Sequence, residues 1–217
     1  MATMKKTSLT AMCSALAILL LVSCETGTGP DTESIPIVID QQTIRATLQQ
    51  FEHPIGMWEM SDNKLWQIAE SSPGPLDTKA FFTGRAFEFL RVEANLTVTE
   101  DTDGGGYAIG ILSMVQDAEN LHYVYLGQSG ELALAKLVDN NWSLIHSESF
   151  DALPIGVEVK VRMDVDSDSI DVYTDDQHRF SVQQPGTEFS TGYFGFLTGW
   201  GAKGRFRNIV VTTLEGG

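Results

Sequence analysis

The 217-residue sequence predicts an all-β fold: two antiparallel sheets packed as a sandwich around one core. Three observations carry this. Hydrophobic residues recur with a period of two from Ile35 onward, the signature of half-buried strands. Turn-forming clusters of Asp, Asn, Ser and Gly punctuate those runs at close to the ~8–12-residue spacing of β-sandwiches. No long stretch carries the helical period of an amphipathic helix.

The first 23 residues stand apart. Lys5 and Lys6 form a basic front, and Ala15–Val22 (ALAILLLV) is an apolar run too short to span a bilayer. That order is the pattern of a secretory signal peptide. Its end, Leu21-Val-Ser-Cys24, resembles the lipobox of bacterial lipoproteins. The resemblance implies that Cys24 is lipidated on sulfur and becomes the first residue after cleavage. The cysteine count agrees with that role. The chain has two Cys, and Cys13 lies in the segment to be removed, so an exported product keeps one thiol and forms no internal disulfide. Residues 24–34 then read as a lipidated Cys and a tether, because ETGTGPDTES is Gly, Thr, Pro and acid with no apolar content. The expected partner is a lipid bilayer, and the expected location is the bacterial cell envelope, facing the periplasm or the cell surface.

Residues 35–217 form the folded domain. Asp40–Gln50 (DQQTIRATLQQ) fits a short capped helix or a strand equally well. LRVEANLTV places Leu90, Val92, Ala94, Leu96 and Val98 on one face, with Arg91, Glu93, Asn95 and Thr97 on the other. VEVKVRMDV does the same with Val157, Val159, Val161, Met163 and Val165 against Glu158, Lys160, Arg162 and Asp164. Two stretches are apolar on both faces, Gly106–Val115 and Gly192–Trp200. These read as central strands, with Gly where neighbours press close. Turns are expected at residues 101–106, 117–120, 127–130, 139–141, 166–169 and 175–177. RNIVVTTL is a last strand.

Charge narrows the function. The formal net charge is −15. Lys5 and Lys6 are the only bases before Cys24 and no acid precedes it, so the remainder carries 29 acids against 12 bases, a net −17. A field of that sign repels nucleic acid, anionic lipid and strongly anionic glycans.

The order of features, taken together, resembles the concanavalin A-like lectin/glucanase jelly rolls. FEHPIGMWEMSDNKLWQIAES opens like their first hairpin. GYAIGILSMVQDAENLHYVYL, GELALAKLVDNNWSLI, VEVKVRMDVDSDSIDVYTDDQHRF and GYFGFLTGWGAKGRFRNIVV follow in the order of their later strand pairs. The similarity runs from Gln50 to about Thr213 and implies the fold more strongly than the function. Relatives include lectin-like and laminin G-like modules, glucanases and 3-keto-disaccharide hydrolases. Two positions depart. Arg207 stands where members often carry Asp, and Met114-Val115 where many carry Arg, so no metal or ligand role is carried over to them.

Catalytic motifs are sparse. Glucanases of this fold place two carboxylates on one strand face, about 5–5.5 Å apart in retaining enzymes. Glu88 and Glu93 are separated by an odd number and face opposite ways. Asp164, Asp166, Asp168 and Asp175 mimic ligand positions of a Ca²⁺ loop, but Ser169 occupies the site that needs Gly. These Asp are candidate calcium ligands, with a solvated hairpin turn as the better reading. Aromatic residues offer the alternative chemistry, because sugars bind by ring stacking plus a few directed hydrogen bonds. Trp58, Trp142, Trp200, His122 and Tyr125 are the candidate ligand-binding residues. His122 and Tyr125 lie on opposite faces of one strand. The expectation is a lipid-anchored, non-catalytic lectin-like domain that binds a neutral carbohydrate or an envelope protein. A glycoside-cleaving enzyme related to the keto-disaccharide hydrolases is the alternative.

Overall fold

The computed structural model describes residues 37–38, 58–62, 64–67, 78–102, 104, 106–183 and 189–214. The expected signal segment, Cys24, the tether and Asp40–Gln50 lie outside them. The described chain is all strand and turn. In order the strands are β1 (Ile37–Val38), β2 (Trp58–Ser61), β3 (Lys64–Gln67), β4 (Thr78–Phe87), β5 (Leu90–Asp101), β6 (Ala108–Val115) and β7 (Leu121–Gly127). Then come β8 (Glu131–Val138), β9 (Asn141–Ser149), β10 (Glu158–Val165), β11 (Ser169–Thr174), β12 (Gln177–Gln183), β13 (Gly192–Gly199) and β14 (Ala202–Thr213). Each of the six turns expected from composition falls between two of these strands.

Two antiparallel sheets result. One runs β12-β11-β10-β5-β14-β3-β2, with β1 also paired to β14; the other runs β4-β13-β6-β7-β8-β9. Their inner faces share one core. Leu90, Val92, Ala94, Leu96 and Val98 of β5 meet Ile109 and Ile111 of β6, Val124 and Leu126 of β7, and Phe194 and Phe196 of β13. Burial of this apolar area supplies the main driving force. The β10 pattern holds from Val159 to Val165, but Val157 is a correction: it precedes the strand and is exposed.

The two outer faces differ sharply. The larger sheet presents a lattice of ion pairs, including Arg91 to Asp164, Lys160 to Glu93 and Asp176, and Arg207 to Glu158. The smaller sheet instead carries a second apolar cluster on its outer face, in which Leu112, Tyr123, Tyr125, Ala133, Ala135 and Leu197 take part. This explains why β6 and β7 are buried along their whole length. Glycine permits the close strand contacts expected there. A Cβ on Gly110 would lie 2.1 Å from the Val124 carbonyl oxygen, and one on Gly195 2.1 Å from that of Ala80.

The two departures from the family pattern have structural roles. Arg207 holds Glu158 at 2.5 Å, next to a bulge where Asn208 takes a φ of 51°. Met114 is fully buried in the core with a φ of 50°, at the irregularity that ends the regular β6–β13 pairing.

Candidate functional site

Register aligns the outer face of the smaller sheet into rows. One row reads Gly199, Ala108, Gly127, Glu131 and Ser149 across β13, β6, β7, β8 and β9. The next reads Leu197, Gly110, Tyr125, Ala133 and Ser147, and a third Gly195, Leu112, Tyr123, Ala135 and Leu144. Gly110 and Ala133 therefore flank Tyr125, and Leu112 and Ala135 flank Tyr123. Above this low floor opens a cavity of about 410 Å³, lined by Ala108, Tyr123, Tyr125, Glu131, Trp142, Leu197 and Trp200. Ligand pockets typically span about 300–1,000 Å³.

Four rings run continuously around it. Trp200 meets Tyr125 edge to face, with centroids 6.3 Å apart. Tyr125 lies 5.9 Å from Tyr123 at a 30° tilt. Trp142 lines the cavity with Tyr123, and its indole N–H favours the ionised phenol. The tyrosines are buried walls, whereas Trp142 is 53% exposed and Trp200 39% exposed, so the indoles form the accessible rim. Burial, opposed in part by the Trp142 hydrogen bond, pushes the Tyr123 phenol above its ordinary range. Burial first, and then the neighbouring Glu131 carboxylate, pushes Tyr125 up to about 12. Both phenols stay neutral at physiological pH. Tyr125 donates to Glu131 Oε2 over 3.3 Å.

The Trp200 rim is held under strain. Trp200 and Gly201 form the two-residue turn between β13 and β14, with φ values of 55° and 77°. Hairpin turns of this kind need positive φ at both central positions and favour Asn, Asp and Gly. The turns at Asp139-Asn140 and Asp175-Asp176 follow that preference. A bulky indole at such a position is an outlier. The Thr102 N–H and hydroxyl fix this turn, donating to the Gly201 carbonyl at 3.0 and 2.8 Å.

The structure brings together three of the five sequence-predicted aromatic and His candidates: Tyr125, Trp142 and Trp200. The other two are corrected. Trp58 is half-buried against the core, its ring 5.7 Å from that of Phe206. His122 is 2% exposed and packs edge-on to Phe189 at 5.1 Å, because β7 turns its even-numbered side chains inward. Tyr123, a polar handle legible from its two-residue spacing to Tyr125, joins the lining, whereas sequence reasoning missed Glu131. Glu131 carries no such signal, since only strand register places it beside Tyr125.

The calcium candidates do not form a ligand set. Asp164 is gripped by Arg91 through two bonds of 2.8 and 2.7 Å, and Arg162 lies 3.3 Å away. Asp166 accepts the backbone N–H groups of Asp168 and Ser169 at 2.8 and 2.7 Å, the turn geometry of an Asp that caps its own backbone. Asp175 accepts the Lys160 backbone N–H at 3.1 Å. Among the described residues, no group of three or more His, Cys, Asp or Glu could hold a metal ion.

Comparison with solved structures finds β-sandwiches of the same architecture. The carbohydrate binding module CBM66 from Bacillus subtilis superposes with a TM-score of 0.60 at 16% identity, covering 73% of this chain and 92% of that one. A putative glycosyl hydrolase from Parabacteroides distasonis gives 0.51 at 12% identity, covering 74% and 85%. The exoplasmic/lumenal domain of VIP36, in a Ca²⁺/Man3GlcNAc-bound form, gives 0.50 at 10% identity, covering 74% and 82%. No protein-family model matches the chain, and no curated protein matches it. At these identities the likeness is one of architecture. The domain is a two-sheet antiparallel jelly-roll sandwich.

Proposed function

We propose that this domain is a carbohydrate-binding module, held by a lipid on Cys24 at the bacterial cell envelope. The observation that carries the reading is the set of rings Trp200, Tyr125, Tyr123 and Trp142 around a floor of Ala108 and Leu197. Sugar rings present apolar C–H faces that stack on aromatic rings, and hydroxyl groups that need a few directed polar partners. The rim indoles supply the first and the Glu131–Tyr125 pair the second. The neighbours named for carbohydrate binding share this fold, which is consistent with the reading and does not assign a ligand.

Binding is favoured over cleavage on chemical grounds. A glycosidase of the usual kind needs two carboxyl groups, about 5–5.5 Å apart when retaining and about 6.5–9.5 Å when inverting. Glu131 is the one acid among the described residues that line the pocket. The lipid anchor and envelope location rest on the Leu21–Cys24 motif and the Lys5–Val22 segment.

Titration of the full chain with soluble oligosaccharides, followed by intrinsic tryptophan fluorescence, tests the reading. A saturable change is expected, reduced at least tenfold in affinity by Trp142→Ala, with no sugar released as product. A flat response across neutral and amino oligosaccharides overturns it, and turnover of a bound sugar overturns its non-catalytic part.

A further inference from the structure

We propose that the pocket selects sugars carrying a free, protonated amine: its ligand class is an amino-sugar glycan. The inference rests on the carbohydrate-binding reading and deepens it. It starts from Glu131. Four acids of the opposite sheet are matched by cations: Asp164 by Arg91, Glu158 by Arg207, and Glu93 and Asp176 by Lys160. Glu131 differs. Among the described residues it has no ion pair, and its one hydrogen bond is the 3.3 Å contact from the neutral Tyr125 phenol. A carboxylate has about four acceptor sites on two oxygens, so most of its capacity faces the cavity.

Nothing in the pocket wall competes for it. Among the described residues no Lys or Arg lines the cavity. Lys79, in register with the lining residue Leu197, is buried and turns its ammonium to the Ala118 carbonyl at 2.5 Å, in the β6–β7 turn. The aromatic walls act in the same direction as the carboxylate. The faces of Trp and Tyr rings attract cations, more strongly when water is excluded. An ammonium on a pyranose would therefore meet Glu131 through a charge-assisted hydrogen bond while its ring stacks on an indole. A hydroxyl at the same carbon retains a neutral hydrogen bond alone. A carboxylated or sulfated sugar would face an unpaired negative charge. The cavity volume, near the lower end of ligand pockets, suits a terminal mono- or disaccharide unit.

Three oligosaccharide series of one length and backbone isolate the amine: cello-oligosaccharides with a hydroxyl at C2, chito-oligosaccharides with an acetamide, and their de-N-acetylated glucosamine form. The full chain, kept soluble in mild detergent, is titrated with each by calorimetry at mildly acidic pH. The glucosamine series is expected to bind about tenfold tighter than the cello series, equivalent to about 1.4 kcal/mol. In Glu131→Gln that preference collapses: affinity for the glucosamine series falls to about that for the cello series. Equal or weaker binding of the glucosamine series overturns amine selection and leaves the carbohydrate reading standing. A preference that survives Glu131→Gln also overturns it, because bulk negative charge would then be the cause. Failure of all three series to bind removes both readings together.

Discussion

The Trp200 ring meets the Tyr125 ring edge to face, planes at 63° and centroids 6.3 Å apart, although their strands are not neighbours in the sheet. The contact crosses β6, where Ala108 and Gly110 leave the surface low. Two large rings can touch across an intervening strand only because that strand has no bulk between them. This relationship turns a flat sheet face into a walled cavity. It also ties the wall to a backbone conformation that indole disfavours, and strain of this kind persists only where the surroundings enforce it.

Trp200→Gly separates the two roles of this residue. Glycine adopts positive φ without steric cost, so relief of about 1 kcal/mol of backbone strain offsets the lost Tyr125 contact. The thermal unfolding midpoint is expected to stay level or rise, while glycan affinity falls at least tenfold. Differential scanning calorimetry and a binding titration on one preparation read both.

Acid lability should centre on Glu158. The Arg207 hydrogen bond, then that from Asn95, hold its carboxyl below the usual range against the opposing effect of desolvation. A carboxylate with a depressed folded pKa stabilises the native state above its unfolded pKa, near 4.3. That stability is lost as pH falls through the folded value. Arg207→Met is therefore expected to be less stable than the parent at neutral pH and to converge with it in acid. Urea unfolding at a series of pH values measures the difference; a gap that widens toward low pH contradicts the assignment.

Asp164 is expected to act in an ion-pair lattice and not as a calcium ligand. Removing it in Asp164→Ala strips the counter-charge from Arg91 and Arg162 and costs about 2 kcal/mol, a bidentate charged bond discounted for the partial exposure of Arg91. Calcium or EDTA is expected to leave the unfolding midpoint of the parent unchanged. A calcium-dependent rise that Asp164→Ala abolishes would restore the ligand role.

The lipid anchor has its own test. Each buried lipid methylene contributes ~0.8 kcal/mol, so two or more acyl chains give stable attachment. Cys24→Ser, expressed in a bacterium, is expected to lose incorporation of labelled fatty acid and to leave the membrane fraction. Retention of both by the variant removes the anchor from the account.

Much of the fold was legible because turns and alternation are local properties. Asp139-Asn140 and Asp175-Asp176 announce two-residue hairpins through the tolerance of Asp and Asn for positive φ. The polar alternation of β5 and β10 fixes which of their faces is buried. β7 was legible only in part. Its sequence separates His122 from Tyr123 and Tyr125 by parity, yet both faces carry apolar residues. Nothing local says that His122 turns into the core and the tyrosines outward. Trp58 misleads for the same reason, since an aromatic residue at a strand end serves a core as well as a rim.

The sequence by itself determined the alternating strands, their turns, the wet face of the larger sheet and the surplus of negative charge, because each depends on neighbours along the chain. Tertiary structure decided the site. Tyr125, Glu131, Trp142 and Trp200 come from β7, β8, β9 and the β13–β14 turn, and only cross-strand register sets them around Ala108 and Leu197. A one-residue slip in any of those pairings would turn that strand's contribution to the opposite face. For that reason no short stretch of the chain could have disclosed the cavity.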